Sequence, residues 1–259
     1  MTTKLDPAVN LAIDWGNTRI KAGWFAGNQL QKTARYASPD DLRDALQRQP
    51  PQHVIVSSTS RPADELRLAL DDFDGGADWL LLSPTLPVPV KNGYETPQTL
   101  GADRLAAAAG VAAVCPGEPC LVLDLGTCIT ADFVSAGEAS GTFEGGLIAP
   151  GLQMRLRAMH TFTARLPLPE LPALGEWPPI TARNTRDALL SGAMNGMALE
   201  LNGLIDRYTN QYPHLRVIVC GGDAPLFVNR LKPGIFAVPD LVLLGLNQIL
   251  LYNLSRQNH

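Results

Sequence analysis

Over the first third of the chain, apolar and polar positions fall into short runs that predict strands, turns and helices. Residues 9–14, "VNLAID", form an apolar run that stops at an acid. "RIKAGWF" (19–25) and "QLQKTARY" (29–36) follow as two more strands, with Ala26, Gly27 and Asn28 as the turn between them. "SPDDLRDALQRQ" (38–49) predicts a helix, with Ser38 and Pro39 at its N-cap and first position and Leu42, Ala45 and Leu46 at helical spacing. "HVIVSS" (53–58) predicts a strand, residues 61–73 a helix, and "ADWLLLS" (77–83) a strand. The order is βββαβαβ. Residues 83–98 hold four prolines and no period, which predicts a loop. An alanine-rich helix starts near Leu100, and its small side chains allow another element to approach closely.

After "PGEP" the pattern restarts. "CLVLDLG" (120–126), "CITADFVS" (128–135) and "GTFEGGLIAP" (141–150) predict three strands, with "AGEAS" turning the second into the third. "GLQMRLRAMHTFT" (151–163) predicts a helix, 164–180 a proline-rich irregular stretch, and 184–212 a long helix flexible at its glycines. "LRVIVCGGD" (215–223) predicts a strand ending in a glycine turn, and 224–231 and 239–256 a short and a terminal helix. The repeated order predicts an α/β protein of two similar halves, 1–115 and 116–259, facing each other across a cleft.

Composition narrows the function. At 46% hydrophobic and 18% charged residues the chain is globular. A net charge of −4 gives no basic excess for a phosphate backbone, so nucleic acid is not an expected partner. Small anions stay open, because backbone amides bind them without net positive charge. Cys115, Cys120, Cys128 and Cys220 show no CxxC pairing and are read as free thiols of a reducing compartment. No signal peptide and no apolar run of ~20 residues is visible, so a soluble cytoplasmic protein without a membrane partner is expected.

The chemistry gathers at two turns. In "AIDWGNTRIK", Asp14 ends an apolar strand, where a buried carboxylate needs a cation or donors. Gly16 is read as permitting a backbone geometry closed to other residues. Asn17 and Thr18 offer small polar groups, and Lys21 follows on the next strand. The tip can cradle phosphate while Asp14 holds a hydrated Mg²⁺. An ordinary hairpin is the bland alternative for a single copy. "VLDLGTCIT", however, repeats the offsets with Asp124, Gly126 and Thr127. Two such tips approaching one nucleotide build the ATP cleft between ribonuclease-H-like halves. "GGD" at 221–223 fits a further turn near the base or ribose.

The segments "DWGNTRIK", "GADR", "DLGTCIT", "GGLIAPGLQM…TFTARLP", "NTRDALLSG" and "GGD", in this order, resemble type III pantothenate kinases, of the acetate and sugar kinase, chaperone ATPase and actin superfamily. The resemblance spans almost the whole chain. It implies transfer of the γ-phosphoryl group of ATP to the primary hydroxyl of pantothenate, the first step of coenzyme A synthesis. It further implies that Asp14, Gly16, Asn17, Thr18 and Lys21 form the ATP phosphate loop, with Asp14 near the Mg²⁺ that ATP brings, and that Thr127 contacts ATP. Asp124 matches a monovalent-cation position, K⁺ or ammonium. Asp103 matches the general base, and Tyr94, Gly101, Ala102, Asp103, Arg104 and Thr185 the pantothenate site. The helix N-terminus at "GADR" and the Arg104 fork suit a carboxylate. The family commonly forms homodimers, so a dimer is expected.

Some residues depart from the pattern or stay bland. Trp15 is bulky where the family has a smaller apolar residue, and strand alternation should turn it away from the phosphates. Cys128 stands where alanine is common, and 165–180 is unusually proline-rich. His53, His160, His214 and His259 lack ligand spacing; Trp24, Trp79 and Trp177 are read as packing; Arg155 and Arg157 as a solvated face. The apolar terminal helix fits core or dimer interface. Two other functions remain: a non-catalytic transcriptional accessory factor, against which the complete phosphoryl-transfer set argues, and another small-molecule kinase or phosphatase, against which "GADR" argues.

Overall fold

The structure is a computed structural model, and it describes residues 9–16, 19–59, 65, 70, 76–137 and 141–257. Asn17, Thr18, His259, part of the turn at 136–140 and nearly all of the helix expected over 61–73 lie outside these residues.

Five strands form the first sheet: β1 (Val9–Trp15), β2 (Ile20–Ala26), β3 (Gln29–Tyr36), β4 (His53–Ser58) and β5 (Asp78–Leu81), ordered β3-β2-β1-β4-β5. β2 runs antiparallel to β1 and β3, whereas β4 and β5 run parallel to β1 and to each other. The next strand is β6 (Lys91–Asn92). The second sheet repeats the plan with β7 (Cys120–Leu125), β8 (Cys128–Ser135), β9 (Thr142–Pro150), β10 (Arg216–Cys220) and β11 (Ile235–Ala237), ordered β9-β8-β7-β10-β11. β6 adds to its edge beside Thr142 and Phe143 of β9. The matching order establishes the duplicated ribonuclease-H-like α/β architecture.

The α-helices within the described residues are α1 (Pro39–Arg48), α2 (Ala102–Val114), α3 (Leu152–Thr161), α4 (Thr185–Gln211), α5 (Ala224–Phe227) and α6 (Leu241–Gln257). Ser38 caps α1 as its sequence predicts, accepting from the Asp41 N–H while Asp41 accepts from the Ser38 N–H. α4 runs unbroken through Gly192, Gly196 and Gly203.

The chain forms two compact units. One takes the described residues up to Gly117 together with 137, 141–143 and 240–257; the other takes Glu118–Ala136 and Glu144–Pro239. Cutting the chain once at 115/116 therefore differs from the observed division, because α6 belongs with the first unit. The helix is core: Leu241, Leu243, Leu246 and Leu250 are buried. β1, the central strand of this mixed sheet, is buried on both faces. Leu11, Ile13 and Trp15 share one face with Trp24, Leu42, Val54 and Val56. Asp14, one position off that alternation, is thereby turned away from Trp15, as expected.

In the second unit, Leu121, Leu123 and Ile129 pack with Leu156, Met194, Leu201 and Phe227. Trp24 is buried, Trp79 packs on the first core, and Trp177 meets Phe227 edge-on and donates to Asn195 at 2.7 Å, so all three pack as expected. Arg155 corrects the reading of a solvated face. It donates to the Pro150 carbonyl at 2.7 Å and to Glu200 at 2.6 Å, tying α3 to α4.

Candidate active site

In the first unit the site grows from the register of three strands. Asp14 lies opposite Lys21 of β2 and beside Ser57 of β4. Its Oδ2 stands 3.8 Å from Lys21 Nζ, and its Oδ1 accepts from the Ser57 hydroxyl at 3.2 Å. The Asp14 residue is only 8% exposed. Burial pushes its carboxyl above the usual range; Lys21 and the Ser57 hydrogen bond pull it back, and the negative charge of Asp103 raises it further. Asp103 reaches this position because Gly101 opens α2 and the acid falls in the first helical turn. A Cβ at Gly101 would lie 2.6 Å from Asp103 Oδ1, so the glycine makes room for that carboxylate. The same oxygen accepts the Arg104 N–H at 2.9 Å.

Arg104 is buried. Its guanidinium lies 5.6 Å from the Tyr94 ring and 5.7 Å from the Phe143 ring. Those rings are 5.9 Å apart. The first unit thus brings together Asp14, Lys21 and Asp103, and sets Arg104 one residue further on against Tyr94. Sequence reading missed Ser57 and Phe143. The polar end of "HVIVSS", breaking an apolar run as Asp14 does, was the one available signal for Ser57.

The raised Asp14 carboxyl has a consequence for folding. An acid whose folded pKa exceeds its unfolded value favours the folded state while protonated, and that advantage is lost as pH rises from the unfolded value through the folded one. Asp14→Asn is therefore expected to melt higher than wild type at pH 7. The gap should close as pH falls towards 4, and calorimetry across that range checks it. An equal or lower Tm at neutral pH would refute the assignment of burial as the dominant cause.

Gly16 corrects the reading of its backbone. Its φ is not positive, and among the described residues a Cβ would meet the Arg19 carbonyl at 3.5 Å, an ordinary contact. Its N–H closes the turn on that carbonyl at 3.2 Å.

The second unit holds the related hairpin. Asp124 lies opposite Thr130 and beside Cys220, so a threonine stands where the first hairpin has Lys21. The tip closes with the Gly126 N–H on the Cys128 carbonyl at 3.0 Å, one residue tighter than the first. Here the constrained glycines are elsewhere. Gly221, at φ 93, would place a Cβ 2.4 Å from Asp124 Oδ1 and from the Leu125 carbonyl. A Cβ at Gly151 would lie 2.1 Å from the Gly126 carbonyl, and the Gly151 N–H donates to Thr127 O at 3.2 Å. The hairpin tip bearing Thr127 thus rests on the start of α3. The "GGD" turn exists as expected, and burial raises the Asp223 carboxyl. Thr185 is the exposed first residue of α4; Asn184 caps that helix, accepting from the Asp187 N–H at 2.9 Å. Thr185 belongs to this unit, whereas Tyr94, Asp103 and Arg104 belong to the other.

The donor sets suit hard cations. A nearly buried carboxylate with a second acid charge beside it, as at Asp14, gains from a cation, and Mg²⁺ typically takes one or two carboxylates plus phosphate oxygens. At Asp124 a half-buried carboxylate and the Leu125 carbonyl both border Gly221 and offer two oxygen donors. Among the described residues no group of three or more His, Cys, Asp or Glu could hold a metal alone. No helix among them is long and apolar enough to cross a membrane. None of the four cysteines forms a disulfide.

A family profile described as type III pantothenate kinase matches residues 10–207. A type III pantothenate kinase of Cytophaga hutchinsonii is 40% identical over 245 residues, covering 95% of this chain and all of the relative. One of Phocaeicola vulgatus is 40% identical over 247 residues, covering 95% and 99%. Among solved structures, a Campylobacter jejuni protein assigned to the Baf family of transcriptional activators superposes with a TM-score of 0.59 at 22% identity, over 95% of this chain and 99% of the other. The activator of 2-hydroxyisocaproyl-CoA dehydratase from Clostridium difficile, with bound ADPNP, gives 0.56 at 13% identity, over 97% and 98%. These two likenesses establish the fold.

Proposed function

The chain belongs to the type III pantothenate kinase family, and we propose that the hairpin of Asp14 and Lys21 and the acid opening α2 carry its chemistry in the first unit. The enzyme phosphorylates pantothenate with ATP, in coenzyme A synthesis. The supporting observation is that Asp14 stands 3.8 Å from Lys21 and that Asp103, in the first turn of α2, adds its negative charge near Asp14.

Phosphoryl transfer needs charge neutralisation, in-line placement of the hydroxyl and a proton acceptor. Mg²⁺ arriving with ATP supplies neutralisation of the phosphates, and Asp14 is the residue that would hold it. Lys21, with Gly16, Asn17 and Thr18, binds the phosphates, and Thr127 contacts ATP. Asp103 accepts the proton of the primary hydroxyl. Arg104 and the amides at the start of α2 hold the pantothenate carboxylate, with Tyr94, Gly101 and Ala102 beside them, and Thr185 is a further proposed pantothenate contact. Asp124 binds K⁺ or ammonium, which offsets phosphate repulsion. The enzyme acts in the cytoplasm, without nucleic-acid or membrane partners, as a homodimer. Exposed Phe162, Leu174, Ile180 and Leu199 support an interface, and the mass in solution, once or twice 27.8 kDa, tests it. The relatives do not favour a transcriptional accessory role.

A coupled ADP-release assay, run with sodium, potassium or ammonium as the sole monovalent ion, tests the whole reading. Pantothenate-dependent turnover is expected, faster in potassium or ammonium than in sodium, and Asp124→Asn should erase that difference. Turnover independent of pantothenate, or none in any salt, would overturn it.

A further inference from the structure

The end of β4 carries a hydroxyl that the proposed chemistry does not use. Ser57 is wholly buried and follows Val54, Ile55 and Val56, which are equally inaccessible. A hydroxyl in such a place destabilises unless it is hydrogen-bonded. The bond it makes is to Asp14 Oδ1, at 3.2 Å, across the parallel register that sets Asp14 beside Ser57. The two oxygens of Asp14 are thereby distinguished. Oδ1 is tied to a neutral donor within the sheet, while Oδ2 faces the Lys21 ammonium at 3.8 Å.

The fold itself does not demand this hydroxyl. At the corresponding register of the second unit, Asp124 lies beside Cys220. A thiol is a weaker donor than a hydroxyl. There the next residue, Gly221, packs against the Asp124 carboxylate. The same strand plan therefore carries two different supports for its acid, and the hydroxyl occurs beside the acid assigned to the divalent ion.

We propose that Ser57 is a positioning residue for the divalent cation: its hydroxyl holds Asp14 by Oδ1, so that Oδ2 is the oxygen left for the metal of the metal–nucleotide complex. The inference rests on the reading of Asp14 as the metal-binding acid and names the residue that orients it. Partners of this kind, which hold a metal ligand without touching the metal, typically change metal affinity or activity 10–100-fold when removed.

The test uses the full chain with Mn²⁺ as probe and a non-hydrolysable ATP analogue, the bound metal being counted by electron paramagnetic resonance. Ser57→Ala should weaken Mn²⁺ binding about 10-fold. Binding of the analogue without metal, and of pantothenate, should stay as in wild type. Ser57→Thr, which keeps a hydroxyl, should retain Mn²⁺ affinity even if its added methyl lowers Tm. If the alanine variant does not fold, Ser57→Cys, close to serine in volume, carries the same expectation of weakened binding. Wild-type Mn²⁺ affinity in the alanine variant overturns the proposal, as does an equal loss in the threonine variant. Asp14→Asn separates the two readings. If it binds Mn²⁺ as wild type does, the assignment of Asp14 fails and the role of Ser57 fails with it; if only the serine variants are silent, Ser57 alone is wrong.

Discussion

Asp103→Asn is expected to lower kcat by about 10²–10⁴, the usual contribution of a positioned general base, while leaving the fold in place. The local bonding explains the separation. Asp103 Oδ1 accepts the Arg104 N–H at 2.9 Å, and an asparagine carbonyl can accept the same bond. The substitution therefore removes a proton acceptor without removing a helix-start contact. It also takes a negative charge from beside Asp14, whose carboxyl that charge raises, so stability should hold or rise slightly. Because a base acts in the transition state, kcat and kcat/KM should fall together, with KM for pantothenate little changed. Steady-state kinetics and a melting curve on the same preparation decide it. Near-normal turnover would remove Asp103 from the mechanism.

Gly245→Ala should give the largest loss of stability. α2 and α6 touch backbone to backbone. A Cβ at Gly245 would lie 1.7 Å from the Ala106 carbonyl and 2.7 Å from the Gly110 N–H, and a Cβ at Gly110 would lie 2.5 Å from the Leu241 carbonyl. These are main-chain atoms of helices, so no flexible side chain can swing away. Overpacking of this kind typically costs 1–3 kcal/mol, occasionally more. At the upper figure, Tm should fall by roughly 6–12 °C for a chain of this size. Activity should fall too, because α2 carries Asp103 and Arg104 at its start. Gly203→Ala is the control: that glycine sits in α4 with nothing within 4 Å of the added methyl, and its replacement should stabilise by roughly 0.5–1 kcal/mol. A Gly245→Ala protein that melts with wild type would show that the helices can part without cost.

Much of this arrangement was legible in the chain because it is local. A hairpin is written in adjacent residues, so Asp14 facing Lys21 followed from one apolar run, one turn and the next run. The Ser38 cap and the start of α2 are local in the same sense. What the sequence misled on was which glycines are constrained. Gly16 looked special inside its motif, yet its φ is not positive. Gly110, Gly146, Gly151, Gly221 and Gly245 admit no side chain, each because the main chain of a distant segment passes against it.

Runs of apolar and polar residues thus determined the two three-strand starts and the acids at the ends of their first strands, since strand periodicity and turn chemistry act over a few residues; β6 and β11, short strands at the edges of the second sheet, were not legible. Tertiary structure alone decided that α6 joins the first unit, that Arg155 is pinned and Arg104 buried, and that Ser57 grips Asp14. Those contacts join residues far apart along the chain, and the pattern around either partner carries no mark of the other until the sheets and helices have packed.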